Sequence, residues 1–217
     1  MKKKKKFHVS FLTDKNNSWF NEYIVKLKVN LPKKYKYFFS SNSKKIVEQD
    51  IVFIINYTKI LPAKFLDKNK LNLVIHSSNL PENKGFSPLN YQVLRGNNII
   101  DTCIIEANEK VDSGNIFLKK KIKLNGTELA KELREKQAHT MISMIISFLK
   151  KYPNIKSNDQ SGKSTFNKKR TKLNSKININ KSIKSQFNLL RICDNERYPI
   201  FFNYKKKKFI LKIYKGD

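Results

Sequence analysis

The sequence predicts an α/β fold: a Rossmann-like, mostly parallel sheet with helices on both faces, followed by a short C-terminal helix and a β-hairpin. Short β-branched and aromatic runs alternate with helix-period patterns over roughly the first 150 residues, as strand–helix–strand units require. The chain has 217 residues, 39% of them hydrophobic and 12% aromatic. A chain of that length buries roughly 70% of the surface its unfolded form exposes. No stretch approaches the ~20 apolar residues that a membrane span needs.

Residues 7–12 read as the first strand, and Ser18 precedes a helix whose apolar stripe is Trp19, Tyr23, Ile24 and Leu27. Strand-like runs follow at residues 35–40, 51–57, 71–77 and 102–107, with a short helix over residues 89–94 ended by Gly96. Asn125-Gly126-Thr127 opens a long helix that presents Leu129, Leu133, Met141, Met144, Ile145 and Phe148 on one face and stops before Pro153. Residues 154–175 are polar and read as a surface excursion rather than regular structure. Ser182 caps a helix striped by Ile183, Phe187 and Leu190. Residues 200–204 and 209–214 form two strands joined through residues 205–208, where lysines discourage edge pairing. The expected division is an α/β domain over residues 1–153, a polar excursion over 154–180 and a helix–hairpin appendage over 181–217.

Net charge is +29, and clustered cations release counterions from phosphates, so nucleic acid is the first partner it suggests. Two details weaken that inference. Of the basic residues 41 are Lys and five are Arg, although Arg makes the bidentate contacts that usually carry recognition. Lys, Asn and Ile together supply 90 of the 217 residues, and the charge is spread along the chain, +15 over the first 150 residues and +14 over the last 67. A solvated lysine-rich surface is favoured over a specific polyanion partner. The basic start, Met1 to Lys6, resembles the first part of a signal peptide, but the apolar run behind it is broken at Thr13-Asp14-Lys15, too short for export. Cys103 and Cys193 give neither a disulfide framework nor a zinc spacing. The chain reads as cytoplasmic, with no membrane partner.

Several motifs fail. The first glycine is Gly85, so no Gly-rich phosphate cradle follows the first strand. Gly162-Lys163-Ser164 resembles the end of a P-loop, but Ser157 stands where the motif needs glycine. His8, His76 and His139 belong to no ligand spacing, and no metal is expected.

The informative segment is residues 71–114. His76-Ser77-Ser78-Asn79-Leu80-Pro81 ends an apolar strand; Gly85-Phe86-Ser87-Pro88 follows, and later Asp112-Ser113-Gly114. Ligands of open α/β sheets bind outside the carboxyl ends of strands, where His76 stands. An imidazole there works as an acid or base near neutral pH. Asp112, in a turn between two apolar runs, is a candidate to orient it. Alone, each has a plain structural reading, a satisfied strand-end histidine and an Asp-initiated turn. Together, His-x-Ser-x-Leu-Pro, Gly-x-x-Pro and an Asp-x-Gly 36 residues after the histidine resemble the folate-dependent formyltransferase family. That family includes enzymes acting on methionyl-tRNA, on glycinamide ribonucleotide and on amino sugars. Asn56-Tyr57-Thr58-Lys59-Ile60-Leu61-Pro62 resembles its folate-side loop. The segments from Asn180 to Arg191 and from Tyr198 to Phe202 resemble the short tail of the sugar-modifying branch.

The resemblance implies transfer of a formyl group from 10-formyltetrahydrofolate to a primary amine, through a tetrahedral intermediate whose oxyanion needs stabilising and whose extra proton needs removing. His76 takes one or both tasks, and Asp112 holds the imidazole and assists proton transfer. The loop containing Ile60 and Leu61, with the backbone from Asn108 to Val111, lines the pterin pocket. One departure stands out. The family carries Asn two residues before the histidine, where this chain has Val74. Asn72 shares that face but lies ~13 Å from His76 at ~3.3 Å per residue, too far to substitute, so either Ser77, Ser78 or Asn79 supplies the missing bond or the subgroup does without it.

The favoured substrate is a nucleotide-linked amino-dideoxy sugar for cell-surface glycans, with Ser78 in the substrate site, Phe86 stacked on sugar or base, and Lys84 and Arg170 at the diphosphate. The alternatives are an enzyme acting on initiator tRNA and an inactive homologue that binds RNA through its lysines. A homodimer through the tail hairpin is a further implication of the resemblance.

Overall fold

Five consecutive apolar residues, Ile51–Ile55 (β3), are all buried, the pattern of a strand covered on both faces. The computed structural model describes residues 6–216; the basic run at residues 1–5 lies outside the described residues. Around β3 stand β1 (His8–Thr13), β2 (Lys36–Ser40), β4 (Asn72–His76), β6 (Ile99–Glu106) and β7 (Ile116–Lys123), in the order β2-β1-β3-β4-β6-β7. A two-residue strand, β5 (Lys84–Gly85), lies outside this sheet. The first four strands pair in parallel, as strand–helix alternation predicts. β6 pairs antiparallel with both β4 and β7, so the sheet is mixed. The run 116–118, part of no predicted strand, is the start of β7.

Alternation along the strands sends Val9, Phe11, Phe53 and Leu73 to one face. There they meet Phe20, Leu27 of α1 (Ile24–Asn30), and Met141, Ile145, Phe148 and Leu149 of α4 (Ala130–Lys151). Leu12, Val52 and Ile54 face the other way, onto Phe65 of α2 (Ala63–Leu66). α3 (Pro88–Leu94) packs through Leu89 and Val93 against Ile192 of α5 (Ile183–Ile192).

Three local expectations are corrected. α4 begins at Ala130 rather than at Asn125-Gly126-Thr127, because the Glu128 carboxylate turns back to accept the N–H groups of Asn125 and Gly126 at 2.7 and 3.1 Å. The helix then opens with Glu132 accepting the Leu129 N–H at 2.8 Å. The polar excursion is not wholly irregular: β8 (Phe166–Asn167) pairs in parallel with β5. The tail hairpin, β9 (Ile200–Tyr204) and β10 (Lys207–Leu211), turns on two residues, Lys205 and Lys206, both at positive φ, the tight turn that matches strand twist.

Candidate active site

His76 is the last residue of β4 and is 6% exposed. Its Nε2 lies 2.8 Å from the Asn83 carbonyl oxygen, which can only accept, so Nε2 donates. Its Nδ1 lies 3.5 Å from Asp112 Oδ2. That same oxygen accepts the Gly85 N–H at 2.7 Å. The three motifs of the 71–114 segment therefore meet around one imidazole.

Backbone geometry around the site is unusual. Asn83, Gly85, Ser87 and Asp112 all have positive φ, as does Asn56 at the end of β3. For the non-glycine residues such conformations cost of order 1–3 kcal/mol each and persist only where the surroundings impose them. Those surroundings are visible. Gly85, at φ +83, has no room for a side chain: a Cβ there would lie 2.7 Å from the Asn167 carbonyl. Gly114 is tighter still, since its Cβ would lie 1.9 Å from the Glu106 carbonyl. Gln160 Nε2 donates to the carbonyls of Asp112 and Gly114 at 2.9 and 2.8 Å. Arg95 donates to the side-chain oxygens of Asn83 and Asn167, and Thr165 Oγ1 accepts the Asn83 N–H at 2.8 Å. Ser77 is held twice, its carbonyl by Gln92 Nε2 at 2.7 Å and its hydroxyl by Gln137 Nε2 at 2.8 Å.

The remaining candidates fall in different places. Leu61 packs on the apolar cluster that also contains Val74 and Ala107, so the folate-side loop and the start of the Asn108 loop border one patch. Ile60 and Val111 are exposed, at 89% and 51%. The Asn108 side chain is taken up by its own loop, accepting from the Lys110 N–H and the Ser113 hydroxyl. Ser78 is fully buried, out of reach of a ligand. Lys84 is buried too, with its ammonium 5.9 Å from the Phe166 ring centre; pairing of its backbone with β8 draws it inward. Phe86 is half-exposed beside Lys169. Arg170 donates to the Asn174 carbonyl at 2.9 Å, within its own turn. Asn72 is tied to Leu66 and Asn69.

Asn83, Arg95, Gln137, Gln160 and Asn167 escaped the sequence reading. Gln92 left the clearest signal, a polar residue within the apolar stripe of α3. The excursion residues left none, because what they hold is backbone brought near by the fold.

The Cys103 thiol donates to the Ser78 carbonyl at 3.2 Å, and burial pushes its pKa up. Asp14, at the end of β1, is held below the usual carboxylate range chiefly by the Thr58 hydroxyl, 2.6 Å away, which ties the folate-side loop to the first strand. Among the described residues no group of three or more His, Cys, Asp or Glu stands ready to hold a metal ion, and no helix is long and apolar enough to cross a membrane.

Comparison with known families matches residues 34–149 to the formyl transferase model. The chain belongs to the formyl transferase family. A methionyl-tRNA formyltransferase of Rickettsia canadensis is 32% identical to it over 174 residues, 79% of this chain and 56% of that protein. The chain thus spans about half the length of the curated relatives it matches. Its fold superposes on a methionyl-tRNA formyltransferase from Clostridium thermocellum with a TM-score of 0.82 at 21% identity, covering 97% of this chain and 94% of that one. A sugar N-formyltransferase from a Shewanella species gives 0.72 at 16%, covering 95% and 97%. HypX from Aquifex aeolicus, solved in complex with tetrahydrofolic acid, gives 0.75 at 14%, covering 96% and 38%.

Proposed function

We propose that this formyl transferase moves the formyl group of 10-formyltetrahydrofolate to the primary amine of a nucleotide-linked amino-dideoxy sugar. The observation that carries the reading is the meeting of His76, Asp112 and Gly85 at the carboxyl end of β4. The donor supplies an electrophilic carbonyl carbon. The patch of Leu61, Val74 and Ala107, extended by exposed Ile60 and Val111, suits the apolar part of a pterin, and a pterin's N–H groups suit the carbonyls of the 107–114 loop. Asp112 acts with His76 as the proton acceptor for the attacking amine. Its Oδ2 is committed to Gly85 and His76, which leaves Oδ1 for the amine.

The sugar reading is supported by half-exposed Phe86 beside Lys169; mutual coverage is as full with the Clostridium thermocellum methionyl-tRNA enzyme as with the Shewanella enzyme and does not separate the two. The names of the curated relatives and the charge of +29 favour a second reading, methionine-charged initiator tRNA. Incubation with 10-formyltetrahydrofolate and either a panel of nucleotide amino sugars or charged initiator tRNA separates them by which amine gains the formyl mass. Failure to formylate any of these amines defeats both. The homodimer implied by the resemblance would use β10, where Phe209, Ile210 and Leu211 are exposed.

Gly114→Ala is expected to cut turnover about 10²-fold, since a shift of roughly 1 Å in a catalytic group costs that much. Steady-state kinetics beside a thermal melt checks this: a variant that melts near wild type but retains its rate would show that the Asp112 loop tolerates displacement.

A further inference from the structure

Formyl transfer requires a hydrogen-bond donor for the formyl oxygen as negative charge gathers on it. The amine lone pair forms the new C–N bond while the carbonyl π pair moves onto oxygen. That pair returns as the bond from carbon to the donor nitrogen breaks with its electrons, and the proton shed by the amine ends on that nitrogen. The imidazole is poorly placed to supply the donor by itself, because Nε2 is engaged with the Asn83 carbonyl and Nδ1 faces Asp112. Val74, two residues earlier on the same face, offers only methyl groups.

Most of the neighbouring amides and hydroxyls already hold at least one hydrogen bond. The Ser77 hydroxyl oxygen accepts from Gln137, the Asn79 oxygen from Lys119 Nζ at 3.1 Å and the Asn83 oxygen from Arg95, while Asn72 and Asn167 spend their amide nitrogens on the carbonyls of Leu66 and Asn83. Gln160 also has a buried oxygen without a partner, but its amide nitrogen is committed to the carbonyls of Asp112 and Gly114 and has no donor to spare. Ser78 and Thr102 have unpaired hydroxyls but are fully buried. Asn56 differs. Its Oδ1 is buried with no hydrogen-bond partner, while the residue as a whole is only half-buried. Buried side-chain oxygens are normally paired, so an orphan asks for a reason.

Its position supplies one. β3 and β4 run parallel, with Ile54 opposite Val74 as the last pair; two residues on from that pair stand His76, the last residue of β4, and Asn56, the first residue beyond β3. Adjacent strands lie about 4.8 Å apart, so Asn56 and His76 leave neighbouring strands at the same end of the sheet.

We propose that Asn56 is a catalytic residue of this formyl transferase, its carboxamide hydrogen-bonding the formyl oxygen and the attacking amine. The proposal rests on the reaction proposed above. A left-handed turn alone would also favour Asn, since Asn tolerates φ of 47° better than most residues, and the choice of variants separates the two explanations.

Asn56→Gly keeps the backbone conformation at ease and removes only the carboxamide; Asn56→Asp keeps the shape and removes the amide donor. Both are expected to lose about 10²-fold in kcat with a smaller change in KM, while melting like wild type. Val74→Asn added to Asn56→Gly is expected to recover part of the loss. A readout independent of turnover is the infrared carbonyl stretch of a bound, non-transferring 10-formyl folate analogue labelled with carbon-13, expected at higher wavenumber in Asn56→Gly than in wild type. Full activity in Asn56→Gly with an unmoved carbonyl band overturns the assignment and leaves the proposed function standing. Wild-type protein that transfers formyl to no amine overturns the proposed function, while the carbonyl band still decides whether Asn56 reaches the formyl oxygen.

Discussion

His76→Ala should lower kcat for formyl transfer by about 10²–10⁴-fold, the usual contribution of a positioned proton-transfer group, with KM for the formyl donor little changed. The argument is geometric. The imidazole is 6% exposed, is fixed by the Asn83 carbonyl, and is the group through which Asp112 meets the strand ends. Asp112→Asn is the companion test. It preserves size and the bond from Gly85 but removes the negative charge, so a loss comparable to that of His76→Ala means that the two act as a unit, while additive losses in the double variant mean that they do not. Turnover that survives His76→Ala would remove the foundation of the catalytic reading.

The second large effect concerns stability. Arg191 of α5 and Glu128, just before α4, are each nearly inaccessible to solvent and paired at 3.0 Å, with Arg191 Nε also donating to the Glu128 carbonyl at 3.1 Å. Lys136 joins Glu128 at 2.8 Å from the partly exposed side. Burial by itself would raise the Glu128 pKa, but the Lys136 hydrogen bond and the Asn125 N–H outweigh it and bring the value down from 4.5 to about 2. The sign follows. A carboxylate with a depressed folded pKa contributes stability that is complete above its unfolded value near 4.5 and is lost as pH falls through about 2. Glu128→Gln leaves the buried guanidinium without its counter-charge and should cost about 3–5 kcal/mol, a fall in Tm on the order of 10 °C. It should also flatten the dependence of Tm on pH below about 4.5. Replacing both partners, Glu128→Leu with Arg191→Met, should recover much of the loss, because the charges are then no longer stranded. Thermal melts from pH 7 downward check all three. Because Arg191 lies on α5, the same pair joins the C-terminal helix to the foot of α4.

Much of the fold was legible because hydrophobic periodicity is a local property. The run 51–57 reads as a strand, and Ile51–Ile55 is one buried along its whole length; the face of Met141, Ile145 and Phe148 reads as a helix, and it lies against the sheet. Strand direction was less legible. β6 turns back antiparallel to β4, yet a strand's composition is almost the same whichever way it runs. Helix starts also depended on remote chemistry: Asn125-Gly126-Thr127 reads as the opening of the long helix, but Glu128 turns back onto that segment and pairs with Arg191, 63 residues later.

In the site, strand-end and turn positions made His76 and Asp112 candidates, the family resemblance singled them out, and the fold brings them to 3.5 Å. Lys84 and Arg170 illustrate the opposite case. A cation in a polar segment reads as solvent-facing, but pairing between β5 and β8 buries Lys84, and a neighbouring turn carbonyl claims Arg170.

By itself, the order of residues determined the α/β class, the strand bearing the histidine and the family to which the chain belongs, since each depends on short-range patterns of size, polarity and turn chemistry. Tertiary structure alone decided which polar groups are already satisfied. A hydrogen bond belongs to two atoms that the sequence places arbitrarily far apart, so the orphan oxygen of Asn56 and the buried partnership of Glu128 with Arg191 exist only once the chain has closed on itself.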